Sequence, residues 1–84
     1  MEDKEYYRTS DIDLACTLLA SGFPIDGIWA KEGTEKMEFY FAKTEVLVDT
    51  IQSYWGRRLR VEPLELLGAR KEILTRLKDG SLYA

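Results

Sequence analysis

The segment that most constrains the fold is TSDIDLACTLLASGFP, residues 9–24, which carries the start and stop signals of one complete helix. Thr9 and Ser10 are residue types that cap a helix by accepting backbone N–H groups, and the two aspartates that follow compensate the helix dipole. Gly22 and Pro24 end the helix, since glycine adopts the left-handed conformation and proline cannot continue the hydrogen-bond pattern. The apolar residues recur at three- and four-residue spacing and predict one broad buried face: Ile12, Leu14, Ala15, Leu18 and Leu19.

Three other segments have the composition of strands. Residues 5–9 alternate and are rich in tyrosine, residues 25–31 form a second candidate, and residues 36–43 alternate most clearly. Residues 32–35 are polar and contain the glycine that a hairpin needs. The third strand is the most apolar, so we place it in the middle, antiparallel to both neighbours. A crossover from the first strand to the second leaves room for it and predicts the order 1-3-2.

Two more helices are predicted in the second half of the chain. Thr44 begins one that ends at Gly56, with an apolar face of Leu47, Val48, Ile51, Tyr54 and Trp55. Residues 57–61 alternate basic and apolar side chains, which suits a short extended link or a marginal edge strand. Pro63 then opens the last helix, which is stopped at Asp79 and Gly80. Its predicted buried stripe comprises Leu66, Leu67, Arg70, Ile73, Leu74 and Leu77.

The predicted fold class is α+β, in the order β-α-β-β-α-α, with the helices packed on one face of a small three-stranded sheet. We expect one domain over residues 1–84, with flexible tails at 1–4 and 81–84. A chain this short buries only about 60 % of its unfolded surface. With 45 % apolar residues it can still form a modest core without metal or disulfide.

Composition also indicates where the protein works. A lone cysteine, Cys16, excludes an internal disulfide, and the amino terminus, MEDKEYY, is charged where a signal peptide would be apolar. The longest apolar run is far shorter than the roughly 18 residues that span a bilayer. The sequence therefore predicts a cytoplasmic protein that does not associate with membranes.

The sequence lacks the residue patterns of catalysis. It contains no histidine, no Gly-x-Ser-x-Gly motif and no glycine-rich phosphate loop. Cys16 lies between apolar neighbours with no base beside it, as expected of a buried small hydrophobic residue. Asp11 and Asp13 point in different directions on a helix, and dipole compensation explains both. We therefore expect no enzymatic activity, no cofactor and no metal site.

One group of residues has the composition of a nucleic-acid site. The segment 54–60 combines aromatic rings with three cations: Tyr54, Trp55, Arg57, Arg58 and Arg60. Such a group could stack on and pair with single-stranded nucleic acid or a phosphorylated partner. The alternative is that the aromatics belong to the core and the arginines to a solvated link, with Leu59 and Val61 pointing inward. The net charge of −3 argues against a general polyanion binder.

A second group of residues suggests a protein-contact surface. Ile28 and Trp29 are neighbours in a predicted strand, so only one of them can face the helices. The other lies on the uncovered face of the sheet, where it could form an exposed aromatic patch. Its predicted companions are Tyr6 and Tyr40, or Leu82 and Tyr83 of the tail.

Several of these segments together resemble a known family. They are residues 6–15, the Leu-Leu-Ala-Ser-Gly helix end, Phe39–Phe41, Tyr54–Trp55 and Val61–Pro63. Over roughly residues 6–78 the chain is similar to a family of small uncharacterised proteins of bacteria, bacteriophages and other mobile elements. The resemblance implies no activity and no catalytic residues. It implies an accessory protein of phage or prophage type, which would bind a host protein, including antiviral defence components, or nucleic acid.

The sequence thus leaves two hypotheses. The first is a non-enzymatic module that binds another protein, or a second copy of itself, through the uncovered face of the sheet. The second is a nucleic-acid binder that uses segment 54–60. Salt dependence separates them, because phosphate contacts weaken steeply with salt and aromatic contacts do not.

Overall fold

The computed structural model describes residues 5–30, 33 and 36–79. Its elements are β1 (Tyr6–Thr9), α1 (Ile12–Ala20), β2 (Gly27–Ala30), β3 (Met37–Ala42), α2 (Glu45–Trp55) and α3 (Pro63–Asp79). This order confirms the predicted β-α-β-β-α-α arrangement. The predicted tails at 1–4 and 81–84, with Leu82 and Tyr83, lie outside the described residues. So do Gly80 and most of the predicted turn at 32–35, of which Gly33 is described, with a φ of 80°.

The sheet has the predicted order, β1-β3-β2, with β3 antiparallel to both neighbours. Phe39 lies at its centre, opposite Thr9 on one side and Ile28 on the other. Strand β2 begins at Gly27, two residues after the start of the predicted 25–31, and residue 31 lies outside the described residues. The segment 57–61 is irregular, so of the two alternatives it is a link and not an edge strand.

Strand alternation divides the sheet into a covered and an uncovered face. Phe39, Phe41 and Ile28 point toward the helices and are fully buried. Ile28 therefore takes the inner position and leaves the outer one to Trp29. The buried core draws on the sheet, on all three helices and on Ile25: Leu14, Ala15, Cys16, Leu18, Ile25, Ile28, Phe39, Phe41, Leu47, Ile51 and Ile73.

Helix α1 lies at the centre of this core. Every residue from Leu14 to Leu18 is buried, because α1 contacts β1, α2 and α3. The residue that caps its start is Asp11, whose Oδ1 accepts from the Leu14 N–H at 3.2 Å. The prediction that Thr9 or Ser10 caps the helix was wrong, because Thr9 is still paired in β1. Its Oγ1 instead accepts from the Asp11 N–H at 3.0 Å and so holds the cap in place.

The end of α1 follows the predicted signals. Gly22 adopts a φ of 102° and donates to the Leu19 carbonyl, while the Phe23 N–H donates to the Leu18 carbonyl at 3.0 Å. This pair of bonds satisfies the last carbonyl groups of the helix and reverses the chain. Phe23 is thereby folded back against the core, as predicted.

Helix α3 is where the predicted packing differs most from the structure. Ala69 and Ile73 are buried and Leu66 and Leu77 are half-buried, so the buried stripe faces α1. The prediction was wrong for three members of the stripe, which are exposed: Leu67, Arg70 and Leu74. The helix packs through one narrow side, so only residues at that side are covered.

Candidate functional site

The uncovered side of the sheet, called here the open face, carries the aromatic candidates. It consists of Tyr6 and Arg8 of β1, Gly27 and Trp29 of β2, and Glu38, Tyr40 and Ala42 of β3. Three residues predicted to bind a partner, Tyr6, Tyr40 and Trp29, therefore share this surface. Their role in binding stays a prediction.

Tyr40 is the centre of the open face, because it lies on the middle strand. The Tyr6 ring meets the Tyr40 ring edge-on, with centroids 6.0 Å apart and planes at 65°. Arg8 is directly opposite Tyr40, and its Cζ lies 6.0 Å from the Tyr40 centroid. At that distance the guanidinium is attracted by the ring electrons, which orients it on the sheet. Two aromatic rings and one cation thus form a preorganised cluster.

Trp29 extends this cluster toward the other edge of the sheet. It is 47 % exposed, although it is among the largest side chains of the chain. A Cβ atom at Gly27 would lie 2.6 Å from the Trp29 Nε1, so the indole lies back across the glycine. Gly27 is paired with Tyr40, which places the indole beside the row formed by Arg8, Tyr40 and Gly27. The absence of a side chain at Gly27 is what allows this position.

Arg8 is the residue of the open face that sequence reasoning missed. Its charge was not connected with the tyrosine patch, although alternation along β1 places it on the same face as Tyr6. That two-residue spacing was the signal available in the sequence. The register with Tyr40 was not, because it depends on pairing between segments more than thirty residues apart.

The aromatic residues of segment 54–60 separate into one that packs and one that does not. Tyr54 is half-buried against the core. Burial raises the pKa of its phenol above the ordinary value, and the negative charges of Asp11 and Asp13 raise it further. Trp55 meets Tyr54 edge-on at 4.9 Å between centroids but is 62 % exposed. The prediction that Trp55 lies on the buried face of α2 was wrong. At the end of this helix it is Tyr54 that packs against the core.

The three arginines of the segment are all exposed, and Leu59 and Val61 are half-buried, so the predicted alternation is confirmed. Arg57 has a φ of 60°, a left-handed conformation that non-glycine residues seldom adopt. Its N–H donates to the Tyr54 carbonyl, and the Arg58 N–H donates to the Ser53 carbonyl at 2.9 Å. The end of α2 thus copies the end of α1, with arginine in the place of Gly22.

The structure does not bring the two groups of candidates together. The open face lies on the side of the sheet away from the helices, and segment 54–60 lies at the end of α2 in the helical layer. They are separate surfaces, so a ligand on one need not touch the other.

A known family matches almost the whole of this fold. The family model of a domain of unknown function, DUF5659, matches residues 4–79. The chain belongs to the DUF5659 family. The predicted resemblance to a family of small uncharacterised proteins is confirmed to this extent, while its distribution among bacteria, phages and mobile elements stays a prediction. No curated protein and no solved structure gave a match to the chain.

The acidic and thiol side chains of this DUF5659 domain are the remaining candidates for metal binding and nucleophilic chemistry. Within residues 5–30, 33 and 36–79, no group of three or more His, Cys, Asp or Glu side chains is arranged to hold a metal ion. Cys16 is buried, and burial raises the pKa of its thiol above the ordinary value despite the opposing charge of Arg70. A buried neutral thiol is a poor nucleophile. Over the same residues, no helix has the length and apolar character needed to cross a membrane.

Proposed function

We propose that this DUF5659 protein is a non-enzymatic interaction module that binds another protein through its open face. The observation that carries the proposal is the cluster of Tyr6, Arg8 and Tyr40 with the exposed Trp29 beside it. Tryptophan, tyrosine and arginine are the residues most enriched at the energetic centres of protein interfaces. A cluster already held in place also reduces the conformational entropy that binding costs.

The chemistry of the open face favours a protein over a polyanion. Its charged members are Arg8 and Glu38, so the face is close to neutral, and the whole chain carries a net charge of −3. Phosphate groups would gain little there and would be repelled at longer range. The exposed apolar area of Trp29 and Tyr6 instead suits a partner with its own apolar surface.

The biological setting belongs to the same proposal. The resemblance noted in the sequence supports an accessory protein of phage or mobile-element type, which acts in the cytoplasm by inhibiting a host or defence component. A second copy of the chain is another partner that the open face would accommodate, giving a homodimer.

A capture experiment with matched variants tests this proposal. Tagged wild type is compared with a Trp29→Ser, Tyr6→Ser double variant and with Val46→Ser. Val46 is 65 % exposed on α2 and controls for loss of apolar surface away from the sheet. We expect wild type and Val46→Ser to capture the same host protein, and to retain it in high salt and after nuclease treatment. The double variant should not capture this protein, although its melting temperature should equal that of wild type. Sedimentation of the same three proteins reports self-association through this face.

Two outcomes contradict the proposal. One is a partner that the folded double variant binds as tightly as wild type. The other is a partner whose capture disappears with nuclease, which would transfer the interaction to nucleic acid.

Nucleic-acid binding is the second candidate, favoured by the exposure of Trp55 and of three neighbouring arginines. Electrophoretic shifts with short single- and double-stranded oligonucleotides at low salt test it. We expect no shift for wild type at micromolar concentration, given the net charge of −3. A shift that changing Arg57, Arg58 and Arg60 to glutamine abolishes would support this candidate instead. The log–log salt slope would then fall by roughly two units, at about 0.7 per phosphate contact.

A further inference from the structure

Helix α3 has a second apolar side that no described residue covers. Three leucines lie along it: Leu64 is 76 % exposed, Leu67 61 % and Leu74 40 %. They are three and seven residues apart, so they follow one side of the helix, and we call them the α3 stripe. One exposed leucine is ordinary, but a row at the spacing used for helix packing indicates a contact surface.

The charges beside the α3 stripe are of one sign along most of its length. A shallow depression of about 330 Å³ is lined by Leu67, Arg70, Lys71, Leu74, Thr75 and Lys78. Among the side chains that the structure describes, its lining includes three cations and no carboxylate, on a chain whose net charge is −3. Glu65 and Glu72, the acidic residues of α3 whose side chains the structure describes, line a different depression with Leu64. The surface around Leu67 and Leu74 is therefore apolar and basic at once.

A second copy of α3 is a poor occupant of this surface. Lys71 lies midway between Leu67 and Leu74, so pairing two stripes about a two-fold axis there brings the two Lys71 ammonium groups together. An antiparallel two-fold pair would also place the basic flank of one helix against that of the other. Like charges at such a seam oppose association.

An anionic membrane also fits less well than a helix. Three leucines provide little area to insert, and the net charge of −3 opposes approach to an anionic surface. A partner helix, in contrast, needs only apolar residues at matching spacing and carboxylates on the basic side.

We infer that the part of the α3 stripe formed by Leu67 and Leu74 is a docking site for an acidic amphipathic helix of another protein. Leucine-like residues at i, i+3 or i+4, and i+7 would pack on Leu67 and Leu74, in the helix-on-groove manner. Carboxylates flanking them would pair with Arg70, Lys71 and Lys78. This site lies in the helical layer, away from the open face, so the protein would hold two partners and bridge them.

The test uses a synthetic peptide of about 20 residues, long enough to form a helix, with leucine on one side and glutamate beside it. A second peptide has the same leucines and lysine for every glutamate. Fluorescence anisotropy at low salt should show micromolar binding of the acidic peptide and at least tenfold weaker binding of the basic one. High salt should weaken the acidic peptide without abolishing its binding.

Two variants of the protein locate the contact. We expect Leu67→Ser with Leu74→Ser, and separately the change of Arg70, Lys71 and Lys78 to glutamine, to weaken the acidic peptide at least tenfold. Changing Arg57 and Arg58 to glutamine removes charge elsewhere and should leave binding unchanged. Trp29→Ser should also leave it unchanged, which separates failure here from failure of the open-face proposal.

Four results would overturn the inference. The first is equal affinity of the protein for both peptides, and the second is no binding of the acidic peptide at all. The third is an affinity for the acidic peptide that neither stripe variant changes. The fourth is a dimer of the protein in sedimentation that the Leu67→Ser change dissociates. Co-sedimentation of the protein with phosphatidylserine vesicles, lost in the glutamine variant, would assign the surface to a membrane instead.

Discussion

Replacing Arg57 with glycine is expected to stabilise the protein. The end of α2 requires a left-handed residue one position after Gly56, and Arg57 occupies it with a φ of 60°. Gly56 itself has a φ of −80°, a backbone conformation that any residue can adopt. The glycine thus lies at position 56, whereas the left-handed conformation is required at position 57. A glycine at position 57 should remove this backbone strain. It should also keep the two hydrogen bonds that the N–H groups of residues 57 and 58 donate to the end of α2.

The size of the effect follows from two opposing terms. A non-glycine residue in the left-handed region costs roughly 1–2 kcal/mol. Glycine is more flexible in the unfolded chain, which costs roughly 0.5–1 kcal/mol on folding. Arg57 is exposed, so its side chain contributes little packing. The free energy of unfolding should therefore rise by about 0.5–1 kcal/mol, equivalent to a rise of roughly 2–8 °C in Tm for a domain of this size.

Thermal and urea unfolding followed by circular dichroism measure this change. Gly22→Ala is the matched opposite, since Gly22 has a φ of 102°, and the same two terms with opposite signs should lower stability by about 0.5–1 kcal/mol. Arg58→Gly controls for loss of charge at a neighbour without positive φ and should not stabilise. A Tm for Arg57→Gly at or below that of wild type, with the other two variants as expected, would refute the argument.

Three further predictions concern the core and α3. Gly68→Ala should raise stability by about 1 kcal/mol, because the new Cβ meets nothing within 4 Å; a lower urea midpoint would contradict this. Phe39→Ala should cost on the order of 3–5 kcal/mol, enough to unfold much of the protein, and a near-normal melt would show that its face is wrongly assigned. Because burial raises the pKa of Cys16, the unfolded state loses this proton first as pH rises. Stability should therefore fall above about pH 8.5. Urea unfolding from pH 7 to 10 should show the fall and Cys16→Ala should reduce it, whereas an identical profile for both proteins would count against it.

The sequence predicted the sheet and α1 because each depends on a repeating pattern. The two-residue period of β3 separates Phe39 and Phe41 from Tyr40 without reference to other segments. The strand order followed from the apolar character of β3 and the handedness of crossovers. These rules are local or topological, so one sequence suffices for them.

The errors concern which side of an element another element covers. Helix α3 has leucines on two sides, and the sequence does not say which side meets α1. The sequence therefore predicts Leu67 and Leu74 as core and does not predict the small Ala69, which the structure shows to be buried. The cap of α1 is Asp11 and not Thr9, because Thr9 pairs with β3 as part of β1. That pairing depends on a strand distant in the sequence. The same limit hid the pairing of Arg8 with Tyr40 at the candidate site.

The central place of α1 has a consequence for the lifetime of the protein in a cell. The two helices that pack on α1, α2 and α3, are both synthesised after it, so much of its apolar face stays uncovered until the chain is nearly complete. The same dependence holds after folding. A single cut by a trypsin-like protease at the exposed arginines of the link 57–61 would leave α3 held only by its packing on α1, and loss of α3 would then uncover α1 and unfold both. Degradation would then be all-or-none, and the arginines of this link would set how fast the protein is removed.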